Sequence, residues 1–164
     1  MGAVIRLSYH VHAPRDVLFD LARSIDVHLE SAHQTGEQAI AGKTEGLIEL
    51  GEEVTWRARH LGLWQTLTSR ITEFQRPHHF RDCMVQGAFK RFDHDHFFHE
   101  QPDGTTIMVD VFDYEAPLGV LGWLAERIFL TSYMARFLNE RNRVVVDLAE
   151  SGRWRDFLPD ETRD

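Results

Sequence analysis

The sequence predicts an α+β domain: one strand and two short helices, then a run of antiparallel strands, then a long C-terminal helix lying across the sheet. Three observations predict it. From Pro117 to Glu150 no proline interrupts the chain after its first residue, and Leu121, Leu124, Ile128, Ala135, Leu138, Val145 and Leu148 recur at helical spacing. Leu130, Met134, Phe137 and Val144 lie beside that stripe and widen it, so this helix needs a broad apolar partner. The part of the chain before it supplies one, because from Leu47 onward short runs are separated by turn signals at Leu61-Gly62, Pro77, Gln86-Gly87-Ala88 and Pro102-Asp103-Gly104.

The elements follow in order. Ala3 to His12 alternates as a strand, with Ile5, Leu7, Tyr9 and Val11 on the side expected to be buried. Ala13-Pro14 ends it, and Pro14 to Ala22 gives a short helix with Val17, Leu18 and Leu21 inward. Ser24 to Glu30 adds a further helical turn or two, and Glu37 to Ala41 a brief strand ended by Gly42. The meander then runs through strands at Glu52 to His60, Leu63 to Phe74, His78 to Val85, Phe89 to Glu100 and Thr105 to Tyr114. Proline in the first turn and Ser151-Gly152 past the end bound the last helix, which at 1.5 Å per residue would run about 50 Å. The expected division is one domain over 1–152 and a polar tail over 153–164.

Composition narrows the partners. A formal charge of -8 with scattered basic residues argues against nucleic acid and anionic membrane surfaces, both of which reward clustered Lys and Arg. The long helix carries too many charges for stable membrane insertion. A single cysteine, Cys83, allows neither an intrachain disulfide nor a multi-cysteine metal site. The N-terminus MGAVIRLSYH has no long apolar core, and Arg6 stands where a myristoylation signal needs Ser or Thr. These features predict a cytoplasmic protein and leave its oligomeric state open.

The turn at Pro102-Asp103-Gly104 fixes a register. As a three-residue hairpin loop it pairs Gln101 with Thr105, and counting back sets Phe98 opposite Met108, His96 opposite Asp110, His94 opposite Phe112 and Phe92 opposite Tyr114. That face carries Phe92, Phe98, Met108, Phe112 and Tyr114, so His94, His96 and Asp110 are expected to point inward with them. On the preceding strand Phe80, Asp82 and Met84 form the inward set, which brings Asp82 toward the same cluster. Three readings of the cluster stand: a buried hydrogen-bonded network, the anchor for the polar end of a ligand, or a general base His96 oriented by Asp110. No nucleophile or cofactor motif accompanies it, so no cofactor is expected.

No metal site is expected. His94-x-His96 with Asp82 or Asp110 could supply ligands, yet His10, His12, His28, His33, His60, His78, His79 and His99 are dispersed and no HExxH occurs. Other residues read plainly. Trp56 shares a strand face with Val54, Ala58 and His60 and serves either the core or ligand stacking. Gly119 and Gly122 at the start of the long helix allow close packing or a movable cavity mouth, while Arg136 and Arg141 read as surface cations. Cys83 has no evident base beside it and is not expected to be reactive.

With these residues placed, the chain resembles the helix-grip superfamily of START lipid-transfer domains, plant pathogenesis-related allergens, polyketide cyclase-like proteins and coenzyme Q-binding proteins. The resemblance covers about residues 3 to 150 and rests on the element order and on HAPRDVLFDL, residues 12–21. A bacterial branch is closer in motif, with Gly87-Ala88-Phe89, then Phe92-Asp93-His94-Asp95-His96, then Asp110-Val111-Phe112-Asp113-Tyr114-Glu115-Ala116-Pro117-Leu118-Gly119. Ala88 replaces that branch's proline and Phe92 its tryptophan. The resemblance implies a seven-stranded antiparallel sheet gripping the C-terminal helix, with an apolar cavity between them for a hydrophobic or amphipathic small molecule. Its expected walls are Trp56, Phe80, Phe92, Phe98, Met108, Phe112 and Tyr114, closed by Leu124, Ile128, Tyr133 and Phe137. His94, His96, Asp110 and Asp82 would anchor the ligand's polar end. Two alternatives stay open: a cyclase- or hydrolase-type enzyme using His96 and Asp110, and a regulatory or chaperone-like module whose groove takes a partner helix.

Overall fold

Strand pairing in the computed structural model runs in the order β1-β7-β6-β5-β4-β3-β2, with every neighbour antiparallel. The structure describes residues 2–32, 35–60, 62–116 and 129–158. The strands are β1 Ala3–Val11, β2 Gln38–Gly42, β3 Glu53–His60, β4 Leu63–Gln75, β5 His79–Gln86, β6 Arg91–Glu100 and β7 Thr106–Glu115. The helices are α1 Arg15–Ala22, α2 Ile25–Ser31 and α3 Thr131–Ser151. This is the helix-grip fold, a curved seven-stranded sheet with a long C-terminal helix packed across its concave face.

Sequence alternation becomes burial most cleanly in β7, where Thr106, Met108, Asp110, Phe112 and Tyr114 are buried and the residues between them are only partly so. β1 pairs with it along its whole length, burying Ile5 and Val11 and half-burying Leu7 and Tyr9. The hairpin between β6 and β7 closes as its turn residues dictate. Gln101 N–H donates to the Thr105 carbonyl at 2.8 Å, Asp103 Oδ1 accepts from Thr105 N–H at 3.0 Å, and Gly104 takes the positive φ of 81° that a side chain would resist. Bulges between Thr68 and Ser69 and between Ile71 and Glu73 bend β4 against β5, which increases the curvature of the sheet.

On α3 the buried positions are Met134, Leu138, Asn142, Val145, Leu148 and Ala149, one continuous stripe with a single polar member. The helix stops at Gly152, whose φ of 77° is the left-handed conformation that ends helices. Two apolar clusters lie along this stripe. One joins α1, α2, the middle strands and Val145, Leu148 and Ala149; the other joins Ile5, Phe92, Phe112 and Tyr114 with Met134 and Leu138. The expected tail does not leave the core at once, since Arg153–Asp156 forms a 3-10 turn and Leu158 is buried with Trp154 and Phe157 packed beside it. Leu121, Leu124, Ile128, Gly119 and Gly122 lie outside the described residues. No described helix is long and apolar enough to cross a membrane.

Candidate functional site

Strands β5, β6 and β7 bring Asp82, His94, His96 and Asp110 together by simple parity. Asp82 pairs with His94, Phe80 with His96, and His96 with Asp110, so the four side chains rise from one face of three adjacent strands. His96 Nδ1 lies 2.9 Å from Asp110 Oδ1 and its Nε2 lies 3.2 Å from Asp82 Oδ1. Asn142, the polar residue of the α3 stripe, donates from Nδ2 to Asp110 Oδ2 at 2.7 Å. Phe80 stacks on the His96 ring at 4.3 Å, and Phe112 meets His94 edge-on at 5.2 Å.

The protonation states follow from burial and charge. Burial works against an imidazolium, but the Asp110 and Asp82 carboxylates outweigh it and push His96 up to about 9. Burial also opposes ionisation of Asp110, and the facing His96 overcomes it, holding that carboxyl well below its ordinary range. Asp82 is lowered in the same way against its own burial, by His96, His94 and Arg141. His94 goes the other way, lowered by burial and by the neighbouring His96. The cluster is therefore an imidazolium shared by two carboxylates, with a neutral histidine alongside. His94 Nε2 lies 3.4 Å from Asp110 Oδ2 but off the line of a hydrogen bond, and it is buried without a hydrogen-bond partner among the described residues.

A cavity of about 410 Å³ separates α3 from the sheet, a size typical of small-molecule sites. Of the expected wall, Trp56, Phe92, Phe112, Tyr133 and Phe137 line it, and so does Asp82. Phe80, Phe98 and Met108 do not, because α1 covers that end of the sheet and its Phe19 packs edge-on against Phe80 and Phe98, each at 5.4 Å. Tyr114 is fully buried under Phe89 at 5.4 Å, and its hydroxyl lies 2.9 Å from Thr131 Oγ1, so it too stands behind the wall. His94, His96 and Asp110 likewise sit behind the lining, and among the described residues only Asp82 carries their network to the cavity.

Four titratable residues on the wall are ones the sequence did not single out as a site: His28, Glu37, His60 and Arg141. His28 stacks on Trp56 at 3.9 Å, and its Nε2 lies 3.0 Å from Glu37 Oε2. Burial and then Arg141 keep His28 low, while Glu37, despite its own burial, is lowered by His28 and Arg141. His60 Nδ1 meets the Tyr133 hydroxyl at 2.8 Å, and burial lowers its pKa. Arg141, which its sequence reading makes a surface cation, is half-buried and lines the cavity. It follows Phe137 by four residues and Leu138 by three, which rotates it onto the cavity side of α3.

Asp82, His94 and His96 each place one donor atom within 4.8 Å of the others, a two-imidazole, one-carboxylate set that suits a transition metal. Ligation would require His96 to lose its proton and a carboxylate bond, so the hydrogen-bonded arrangement and a metal compete for the same nitrogen.

Fold and cavity together define a helix-grip protein with an internal site between sheet and C-terminal helix. No family model matches the chain, and no curated protein does. Solved structures do match in fold. The protein TTHA0849 from Thermus thermophilus superposes with a TM-score of 0.73 at 15% identity, covering 92% of this chain and 99% of its own. A START superfamily protein from Mycobacterium smegmatis gives 0.67 at 12% identity over 88% and 97% of the two chains. Major latex-like protein 151 from Panax ginseng gives 0.66 at 16% identity over 97% and 99%.

Proposed function

We propose that the protein binds an amphipathic, mostly apolar small molecule in the cavity between α3 and strands β3 to β7. The observation that carries this reading is the cavity of about 410 Å³ itself, walled by Trp56, Phe92, Phe112, Tyr133 and Phe137 and edged by a few polar groups. Such a wall favours a ligand that is largely hydrocarbon, with one polar region set by those groups. The fold shared with a START superfamily protein is consistent with it.

The burial of His96 and Asp110 behind the lining weighs against an enzyme using them on a bound substrate, because a general base must reach the proton it takes. An internal cavity between helix and sheet likewise weighs toward a small ligand rather than a partner helix. Native mass spectrometry of freshly purified protein, followed by extraction and analysis of what is released, tests the reading. A stoichiometric apolar companion, or saturable binding of the neutral fluorophore N-phenyl-1-naphthylamine, is the expected result. Absence of both would overturn it.

A further inference from the structure

Arg141 is the charged group of this cavity that the described residues leave without a hydrogen-bond partner. Among the described residues its guanidinium makes no hydrogen bond and no ion pair, although it lines the same cavity as Glu37 and Asp82. Each of those carboxylates is already engaged elsewhere. Glu37 Oε2 meets His28 Nε2 at 3.0 Å, and Asp82 Oδ1 meets His96 Nε2 at 3.2 Å. Arg141 is half-buried on an apolar wall, and its unengaged donors are available to an acceptor bound in the cavity.

The charges around it restrict what that acceptor can be. The charged groups on the cavity wall are the Glu37 and Asp82 carboxylates and the Arg141 guanidinium, with His28 and His60, both kept low by burial, alongside. Two negative groups against one positive one leave an excess of one negative charge. An anionic head group would satisfy Arg141, but it would add a further negative charge and offer nothing to Glu37. A cationic head would suit Glu37 and leave Arg141 without an acceptor. An uncharged head that both accepts and donates satisfies both groups without adding charge.

Resting on the proposed ligand-binding reading, we propose that the ligand's polar end is such an uncharged head, of the hydroxyl or carboxamide kind, accepting from Arg141 and donating to Glu37. The ligand class is then a neutral amphiphile, a long or ring-bearing hydrocarbon ending in an alcohol or amide. Arg141 sets specificity through its donors, and the aromatic wall supplies most of the affinity.

Displacement of N-phenyl-1-naphthylamine by four ten-carbon probes at pH 7 tests this: decan-1-ol, decanamide, decanoate and decylamine. The alcohol and the amide are expected to displace the fluorophore at concentrations about tenfold below those of the two charged probes, as a hydrogen bond to a charged group allows. Arg141→Met should remove most of that preference while the fluorophore still binds, and Arg141→Gln, which keeps donors, should restore part of it. Equal displacement by all four probes would overturn the head-group assignment and leave the cavity reading intact. So would a preference for decanoate that Arg141→Met abolishes. If neither the fluorophore nor any probe binds, the ligand-binding reading falls and the assignment falls with it.

Discussion

His96 and Asp110 face each other across the β6–β7 ladder with Nδ1 and Oδ1 2.9 Å apart, and both side chains are sealed from solvent. The bond is part of a larger arrangement. Asn142 reaches down from α3 to the second oxygen of Asp110, and Asp82 holds the far nitrogen of His96, so helix and sheet are joined by one polar network inside an apolar interior. Its parts are complementary in charge, which is the condition under which buried ions are tolerated.

Removing Asp110 should expose what that complementarity is worth. Asp110→Ala leaves a buried imidazolium facing only Asp82 and strips Asn142 of its acceptor, so a loss of about 3–5 kcal/mol of stability is expected. Urea unfolding followed by tryptophan fluorescence measures it. Because Asp110 lies behind the cavity wall, the fluorophore affinity of whatever protein remains folded should change little. A variant of ordinary stability that no longer binds would instead place Asp110 in the ligand site.

Stability should also fall at mildly alkaline pH. His96 is raised from its ordinary 6.5 to about 9 in the folded protein, so the folded state holds a proton that the unfolded chain releases. The resulting contribution is fully present below about pH 6.5 and disappears as pH climbs through 9. Below 6.5 the sign reverses for His28, His60 and His94, whose folded values are depressed, and their contributions fade as pH falls. Unfolding free energy measured between pH 6.5 and 9 should therefore decline, and the His96→Asn variant should lose that decline. A flat profile in the parent protein would contradict the charged state assigned to His96.

Cys83 should behave as a poor nucleophile. Burial raises its thiol, and the hydrogen bond from Sγ to Asp93 Oδ1 at 2.9 Å raises it further, to about 11. Iodoacetamide at pH 8 should modify it far more slowly than it modifies glutathione, with a rate that keeps rising toward pH 11. Rapid modification at pH 8 would show that the thiolate is stabilised by something other than these neighbours.

The register of β6 and β7 was readable because a turn of fixed length and strict two-residue alternation leave little freedom, and from it the inward placement of His94, His96 and Asp110 follows. What alternation could not supply is depth. It says which face a side chain takes, not whether α1 or the cavity covers that part of the face, and so Phe98 and Met108 belong to the core while Phe92 and Phe112 line the cavity. His60 carried a usable signal, the same parity as Trp56 on β3. Arg141 carried another, its spacing from Phe137 and Leu138, but a cation on an apolar helix stripe reads as a surface residue until the concave sheet is in place. His28 lies on α2 and Glu37 just before β2, so the fold alone joins them, and nothing local in the sequence pairs them.

Ala58 offers the most direct test of the cavity. It sits on β3 two residues beyond Trp56 on the same face, is buried, and borders the open space beneath α3. Enlarging a residue in a filled core forces its neighbours to move and costs roughly 1–3 kcal/mol. Beside a void, the added ring of Ala58→Phe can instead enter space that no side chain occupies, so the penalty should be at the low end of that range. The same ring would take volume that a ligand needs. Expected, then, is a melting temperature within a few degrees of the parent protein together with a fluorophore affinity lowered at least tenfold. If Ala58→Phe unfolds the domain, the void is not available to a side chain; if it folds and binds as before, the ligand occupies some other part of the molecule.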